Sequence, residues 1–202
     1  MSEYPDTVRH SQVLNDNIGE KSKIKLLILD VDGVLTDGTK VYTVTHTPVH
    51  KKFRCKDFTA IKRFIAAGVQ VIMLSGDNLN ADMARQRNIP FYCTRGKDLS
   101  LDKSVYISHL ENTYKINREN MAFVGDDFFD LSMFKTLFWT FAPSDAPMII
   151  KQNSLYQLNS RGGEGVIQEL YDFLVVKGIV EDASEEAVAE LDKKEASSAE
   201  MK

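Results

Sequence analysis

The chain has 202 residues, a formal net charge of −4 and 43% hydrophobic residues, which is enough for one compact domain. The negative charge argues against a nucleic-acid-binding protein, because such domains usually carry a basic face. No apolar run approaches the roughly 20 residues that span a bilayer, so we expect no membrane association. The N-terminus is polar, and Cys55 and Cys93 are far apart and not in CxxC spacing, which favours a cytoplasmic location.

Three regions of the chain differ in composition. Residues 1–22 are polar and show no sustained period, so we expect a flexible N-terminal extension. Residues 23–180 contain nearly all the periodic apolar segments and form the predicted folded domain. Residues 181–202 are an acidic, low-complexity tail of mainly Ala, Glu, Ser and Lys, and we expect them to contribute little to stability.

Short apolar runs alternate with amphipathic segments in the predicted domain. The apolar runs predict strands at residues 24–31, 69–75, 90–93, 121–125 and 137–142. Helical spacing appears at residues 58–67, 79–87 and 99–114. Residues 38–54 are polar and β-rich, and they interrupt the alternation. The pattern predicts an α/β fold: a doubly wound, Rossmann-like parallel sheet with helices on both faces and a β-hairpin inserted after the first strand.

Polar motifs lie at predicted strand ends or, for Lys103, near the start of a predicted helix. In chain order they are DxDG from Asp30, SGD from Ser75, the single residue Lys103, and GDDFFD from Gly125. Each alone has a plain interpretation, such as a turn, a helix cap or a surface lysine. Ligands of doubly wound sheets bind at the carboxyl ends of the strands, so the shared position of these motifs favours one site. Clustered carboxylates repel one another, and Mg²⁺ would relieve that repulsion.

This order of motifs resembles the haloacid dehalogenase superfamily of phosphohydrolases. Lys52-Phe53, Asp57 and the RGGEGV segment from Arg161 narrow the resemblance to a capless subfamily. That subfamily contains 3-deoxy-D-manno-octulosonate 8-phosphate phosphatase and the phosphatases of nine-carbon acid (KDN and sialic acid) 9-phosphates. The resemblance covers residues 24–178. It implies a homotetramer assembled through the 38–54 hairpin.

The resemblance also implies a role for each motif. Asp30 would be the nucleophile that forms an aspartyl-phosphate, and Asp32 would be the general acid and base. Mg²⁺ would be held by the Asp30 carboxylate, the backbone carbonyl of Asp32 and the Asp126 carboxylate. Ser75 and Lys103 would contact the phosphate.

The remaining predicted site residues surround this centre. Asp127 and Asp130 would orient metal-bound water or Lys103. The predicted substrate-binding residues come from three segments of the chain: Gly76; Lys52, Arg54 and Asp57; and Arg161, Gly162 and Gly163.

The substrate implied by the resemblance is a small anionic sugar phosphate. We expect 3-deoxy-D-manno-octulosonate 8-phosphate, with a nine-carbon acid 9-phosphate as the alternative. Asp77 and the RGGEG element are nearer to the nine-carbon pattern. Phe58, where the relatives have a small residue, would reshape one edge of the pocket, and Glu164 would face a sugar hydroxyl.

Two functions of other classes remain open at this stage. A phosphoacceptor receiver domain also combines a doubly wound sheet with acids, Mg²⁺ and a lysine, but its phosphorylated Asp lies on the third strand. A non-catalytic binding protein could retain the fold. The joint presence of Asp30, Asp32, Lys103 and Asp126 favours an enzyme.

Overall fold

The computed structural model describes residues 24–96 and 101–200. In this part of the chain the strands are β1 (Leu26–Leu29), β2 (Val41–Tyr42), β3 (Pro48–His50), β4 (Gln70–Ser75), β5 (Phe91–Cys93), β6 (Met121–Val124), β7 (Trp139–Ala142) and β8 (Tyr156–Gln157). The helices are α1 (Cys55–Ala66), α2 (Ala81–Gln86), α3 (Ile107–Tyr114), α4 (Leu131–Thr136), α5 (Met148–Asn153), α6 (Val166–Val176) and α7 (Glu185–Glu200). None of these helices has the length and hydropathy needed to cross a bilayer.

Six of the strands form one parallel sheet in the order β5-β4-β1-β6-β7-β8. The chain builds the sheet outward from β1 in one direction and then returns to build it in the other. The change of direction leaves β1 between β4 and β6, and such a switch point opens a crevice at the carboxyl ends of the strands. Strands β2 and β3 form a separate antiparallel hairpin.

The central strand β1 explains why the sequence shows a continuous apolar run. All four of its residues are fully buried, because helices cover both faces of the sheet. Leu27 and Leu29 pack in a cluster with α1 and α6. Leu26 and Ile28 point to the opposite face and pack with α3 and α4.

The predicted fold class is confirmed, including the inserted hairpin. Several boundaries differ from those predicted. Helix α1 begins at Cys55 rather than at residue 58, because its first turn is polar and precedes the apolar stripe. The helix predicted at 99–114 is a 3₁₀ turn at Lys103–Tyr106 followed by α3, and residues 97–100 lie outside the described residues. Strand β8 was not predicted, since two residues are too short to show a period.

The C-terminal tail lies against the domain, which differs from the expectation that it makes little contribution. Helix α7 contacts α1 and α2. Glu195 pairs with Lys62 at 2.8 Å and with Arg87 at 2.7 Å, and Lys62 also pairs with Asp192. Charge complementarity holds this helix, and composition alone does not reveal it. The predicted extension at residues 1–22 lies outside the described residues, and the division at 23 and 180 stays a prediction.

We expect truncation after Ala183 to preserve the fold but to lower the free energy of unfolding. The loss should be about 0.5–2 kcal/mol, since an exposed ion pair contributes about 0–1 kcal/mol. Urea denaturation of both forms measures it. The matched control is Lys62→Met in the full chain, which removes the cation that Asp192 and Glu195 share. Equal stability of all three proteins would show that the contacts of α7 contribute nothing.

Candidate active site

Three neighbouring strands bring the predicted catalytic motifs together. Asp30 directly follows β1, Ser75 is the last residue of β4, and Asp126 lies two residues after β6. Because β4, β1 and β6 are adjacent and parallel, their carboxyl ends meet at one edge of the sheet. The backbone N–H of Asp30 donates to the carbonyl of Val124 at 2.9 Å, which continues the sheet pairing into the site.

Asp30, Lys103 and Asp130 form a buried charged cluster. Lys103 Nζ donates to Asp30 Oδ1 at 2.7 Å and to Asp130 Oδ1 at 2.5 Å. Burial alone would lower the pKa of Lys103, but the two carboxylates outweigh it and raise that pKa. Burial is the main cause that raises the pKa of Asp30 to about 7, against the opposing effect of Lys103. Lys103 therefore stays cationic, whereas Asp30 binds a proton readily when no other cation is present.

Asp126 carries a carboxylate that the described residues do not fully satisfy. Its Oδ1 is buried and accepts no hydrogen bond from any described residue. Burial and then the charge of Asp30 raise the pKa of Asp126 to about 8. Oxygen atoms of Asp30, Asp126 and Asp130 lie within 4.8 Å of one another. Buried carboxylates at this spacing are a ligand set for a hard divalent cation.

Gly33 makes room for the Asp126 carboxylate. The backbone of Gly33 has φ +90°, and a Cβ there would lie 2.0 Å from Asp126 Oδ2. Any other residue would therefore displace the carboxylate as well as strain the turn. The fourth position of DxDG is thus a glycine so that the loop after β1 can approach the loop after β6.

Asp130 supports this loop through both of its oxygens. Its Oδ1 accepts from Lys103, and its Oδ2 accepts from the backbone N–H groups of Asp126 and Asp127 at 2.9 and 3.0 Å. Asp127 is exposed and caps the following turn by accepting from the N–H of Phe128. Since Asp130 has both oxygens engaged, Asp30 and Asp126 are the carboxylates left to bind a metal.

Ser75 is placed to donate its hydroxyl proton into the site. Its Oγ accepts from the backbone N–H of Asp77 at 3.2 Å and from Asn80 Nδ2 at 3.1 Å. A hydroxyl has two acceptor lone pairs and one proton, so these bonds leave the proton available. Asn80 is buried, and the sequence analysis did not identify it, because an Asn in a polar turn carries no distinguishing signal.

Lys51 was also missed, although the sequence analysis named its neighbour Lys52. Lys51 Nζ donates to both oxygens of Asp32, at 2.6 and 2.9 Å, and to Asp77 Oδ2 at 2.5 Å. Lys40 pairs with the same Asp77 oxygen at 2.9 Å. Although burial acts in the opposite direction, hydrogen bonds from Lys51 and Lys40 lower the pKa of Asp77 to about 2. Alternation within a strand could have revealed Lys51, because consecutive residues point to opposite sides.

The structure places the predicted substrate residues of the RGGEG segment behind the catalytic loop rather than in the cavity. A Cβ at Gly162 would lie 2.2 Å from the carbonyl oxygen of Gly33, and the N–H of Gly163 donates to the carbonyl of Val34 at 2.9 Å. Arg161 is exposed and pairs with Asp145 at 3.5 Å. The glycines allow this segment to support the turn that carries Asp32 and Gly33, so their expected role in substrate binding is replaced by a structural one.

Asp57, Lys52 and Arg54 also lie outside the cavity lining. Asp57 is buried and caps α6, since its Oδ1 accepts from the N–H groups of Ile167 and Gln168 at 2.8 and 3.0 Å. Arg54 donates to the carbonyl of Glu164, and Lys52 is exposed. Arg54 thus joins the segment after the hairpin to the RGGEG segment, and Asp57 joins α1 to the start of α6. Gly76 does line the cavity.

The cavity has a volume of about 180 Å³. This is below the range of about 300–1,000 Å³ that encloses a drug-sized ligand, so a larger substrate would extend to the surface. The lining comes from the ends of β1, β4 and β6, the hairpin, and the segment after β5: Asp30, Asp32, Gly38, Lys40, Ser75, Gly76, Asp77, Thr94, Arg95, Leu101, Lys103, Asp127, Phe129 and Asp130. Phe129 and Arg95 are exposed members of this lining. The Arg95 guanidinium lies 5.5 Å from the centre of the Phe129 ring.

Comparison with known proteins agrees with this geometry. The family model described as haloacid dehalogenase-like hydrolase matches residues 98–170. The 3-deoxy-D-manno-octulosonate 8-phosphate phosphatase of Haemophilus influenzae is 32% identical over 160 residues, which cover 75% of this chain and 83% of that protein.

Two solved structures show the same fold. The cobalt-bound phosphatase of Haemophilus influenzae has a TM-score of 0.70 and 31% identity, and the match covers 78% of this chain and 90% of that one. The Moraxella catarrhalis phosphatase, in complex with a magnesium ion, a phosphate ion and its sugar acid, has a TM-score of 0.71 and 21% identity over 85% of this chain and 93% of that one. The chain therefore belongs to the haloacid dehalogenase-like hydrolases, in the branch that contains the 3-deoxy-D-manno-octulosonate 8-phosphate phosphatases.

Proposed function

We propose that this protein is a magnesium-dependent phosphatase that hydrolyses 3-deoxy-D-manno-octulosonate 8-phosphate through an aspartyl-phosphate on Asp30. The observation that carries the proposal is that Asp30 and the unsatisfied Asp126 meet at the ends of the adjacent strands β1 and β6, where Lys103 binds Asp30. The similarity to the Haemophilus phosphatase supports the choice of substrate. A phosphoacceptor receiver does not fit, because Asp30 follows the first strand of the sheet rather than the third.

The residues present fit a magnesium ion. Asp30, Asp126 and the backbone carbonyl of Asp32 would hold it, and the buried Asp126 oxygen without a partner among the described residues is the observation that calls for a cation. When bound, the ion supplies positive charge that offsets the carboxylates and stabilises negative charge on the transferring phosphoryl group.

Hydrolysis takes two steps, with Asp30 as the nucleophile and Asp32 as the general acid and then the general base. In the first step an oxygen of Asp30 bonds to phosphorus while the bond from phosphorus to the sugar oxygen breaks, and Asp32 donates a proton to that oxygen. In the second step Asp32 takes a proton from water as the water oxygen attacks phosphorus. The bond between Asp30 and phosphorus then breaks, which releases inorganic phosphate and restores the carboxylate.

Ser75 and Lys103 hold the phosphate during both steps. The Ser75 proton is available because Asn80 and the N–H of Asp77 occupy its acceptor positions. Lys103 is fixed between Asp30 and Asp130, so its charge lies next to the reacting oxygen. Groups held in place before the substrate binds stabilise the transition state without reorganisation.

A second anionic group on the substrate needs a cation of its own. Lys103 and Lys40 already pair with carboxylates, whereas Arg95 forms no ion pair with any described residue and lines the cavity. We assign to Arg95 the binding of this second anionic group, whereas the sequence analysis placed Arg161 among the substrate-binding residues. A nine-carbon acid 9-phosphate remains the second candidate substrate, since Asp77 on the cavity wall could accept from an additional hydroxyl.

The hairpin also supports the proposed homotetramer. Four of its apolar side chains are exposed by 42–100% in the monomer: Val41, Tyr42, Val44 and Val49. A second copy of the chain could cover them, although a tetramer stays a prediction. The cytoplasmic location also stays a prediction, resting on the two separated cysteines.

Replacing the nucleophile tests the chemistry. Asp30→Asn should lower kcat by at least about 1,000-fold, because the amide cannot form the phosphorylated intermediate. Initial-rate measurements with saturating Mg²⁺ check this, with thermal melting as the test of folding. Asp37→Asn is the matched control, since Asp37 is exposed and its Oδ1 only accepts from the N–H of Thr39. A folded Asp30→Asn protein with near-normal turnover would exclude Asp30 as the nucleophile.

Magnesium affinity should rise with pH. The raised pKa values of Asp30 and Asp126 mean that Mg²⁺ must displace protons, so its affinity should increase from about pH 6 to about pH 8. In the metal-free protein the folded state binds these protons more tightly than the unfolded chain does. Its stability should therefore fall as pH rises through the same window, and Mg²⁺ should restore it.

Titration calorimetry in two buffers of different ionisation enthalpy measures both the affinity and the number of protons released. Asp126→Asn should weaken Mg²⁺ binding and reduce the proton release. A Mg²⁺ affinity that does not change between the two ends of this pH range would contradict the proposed ligands.

A substrate panel tests specificity. The octulosonate 8-phosphate should exceed hexose 6-phosphates and an aryl phosphate in kcat/KM by at least about tenfold, and a nine-carbon acid 9-phosphate is included as the rival. Arg95→Ala should raise KM for the acidic sugars and leave KM for the aryl phosphate nearly unchanged. Arg161→Ala should affect all substrates alike. If Arg161→Ala instead raised KM for the acidic sugars alone and Arg95→Ala did not, the result would favour Arg161 as the substrate-binding residue.

A further inference from the structure

Lys51 reaches the catalytic loop from outside the sheet. It directly follows β3, the second strand of the hairpin, and its side chain is only 9% exposed. Its Nζ lies within hydrogen-bonding distance of four oxygens, which belong to Asp32, Asp77 and Asn80. A lysine ammonium has three protons, so the side chain is fully engaged by this acceptor set.

Both oxygens of Asp32 are restrained by this network. Oδ1 accepts from Lys51 at 2.6 Å, and Oδ2 accepts from Lys51 at 2.9 Å and from Asn80 Nδ2 at 3.1 Å. The only other donor among the described residues is the Thr36 hydroxyl, at 3.5 Å. Lys51 therefore makes the shortest contacts that Asp32 has, and its loss would leave only the longer contacts from Asn80 and Thr36 to restrain the carboxyl group.

Asp77 and Asn80, which bind Lys51, have further partners of their own. Asp77 follows β4 and binds Lys51 together with Lys40, which precedes β2. Asn80 joins the same group to Ser75. Both strands of the hairpin are thus tied to the end of β4, and the position of Lys51 is determined by the core rather than by the exposed hairpin tip.

We propose that Lys51 is a positioning residue that holds the Asp32 carboxyl group for proton transfer to and from the leaving group. The inference rests on the proposed phosphatase function and on Asp32 as its general acid and base. Neither the position of Lys51 at the base of a polar hairpin nor the adjacent Lys52 identifies this role. The contact between Lys51 and Asp32 does.

The test uses two substrates that differ in their need for a proton. An alkyl phosphate releases a basic alkoxide and requires the general acid, whereas p-nitrophenyl phosphate releases a weakly basic phenolate and does not. Lys51→Met should lower kcat/KM for the alkyl phosphate by about 100-fold, within the range that general acid catalysis contributes, and for p-nitrophenyl phosphate by less than about fivefold. The parameter kcat/KM is used because it reports the steps up to phosphoryl transfer.

Two further comparisons separate positioning from a general structural effect. Lys56→Met is the matched control, since Lys56 is an exposed lysine in the first turn of α1 and the same charge is removed. In an Asp32→Asn background, Lys51→Met should cause no further loss beyond about twofold, because residues that act as a unit are not additive. If Lys51→Met does not fold, Lys51→Gln, which keeps one N–H donor, is measured with the same two substrates.

The outcomes are distinct. Equal losses for both substrates, or an undiminished loss in the Asp32→Asn background, would overturn the positioning role while leaving the phosphatase function intact. A wild-type protein that is inactive on both substrates in the presence of Mg²⁺ would overturn the proposed function itself.

Discussion

The repulsion among carboxylates that follow two adjacent strands, β1 and β6, is the constraint around which this site is built. Asp30, Asp126 and Asp130 place oxygens within 4.8 Å of one another in a buried setting, where charges are poorly screened. Lys103 offsets part of this charge by binding Asp30 and Asp130. Asp126 is left with a buried oxygen that no described residue binds. Burial, together with the neighbouring carboxylates, raises the pKa values of Asp30 and Asp126, and the same excess of buried negative charge favours a divalent cation.

The position of the charged cluster depends on uncharged supports behind it. The loop after β1 approaches the loop after β6 only because Gly33 lacks a side chain. The RGGEG segment packs its backbone against that loop at Gly162, and Asp57 fixes the start of α6 directly after the segment. The sequence analysis predicted that Gly162 and Asp57 bind the substrate. In the structure the RGGEG segment packs against the back of the loop that carries Asp32 and Gly33.

The hairpin has two ends with different chemistry. Its base carries Lys40 and Lys51, which converge on Asp77 at the end of β4 and link the hairpin to Asp32. Val44, near its tip, is fully exposed. A short insertion can therefore bind Asp32 through a charged group and still expose apolar side chains. The cavity itself remains small, and Arg95 and Phe129 are exposed members of its lining.

The sequence by itself determined the fold class and the meeting of Asp30, Ser75 and Asp126 at one edge of the sheet, because both depend on local patterns. Buried parallel strands require continuous apolar runs, and the residues that directly follow adjacent strands must meet at one edge of the sheet. Asp30, Ser75 and Asp126 could therefore be placed together without coordinates.

Only the tertiary structure decided the roles of residues brought together by long-range packing. Lys51 and Lys52 differ in sequence by one position, yet one is buried against Asp32 and the other is exposed, because successive residues of an extended segment face opposite sides. Asp57 and Gly162 were assigned to the substrate because their residue types suit a ligand, whereas their partners are a helix start and a backbone carbonyl. Helix α7 was assigned to a free tail because composition shows how little it can bury, but not that Lys62 and Arg87 lie where its carboxylates reach. The contacts of Asp57, Gly162 and α7 join residues more than a hundred positions apart and leave no local period, so the sequence pattern could not reveal them.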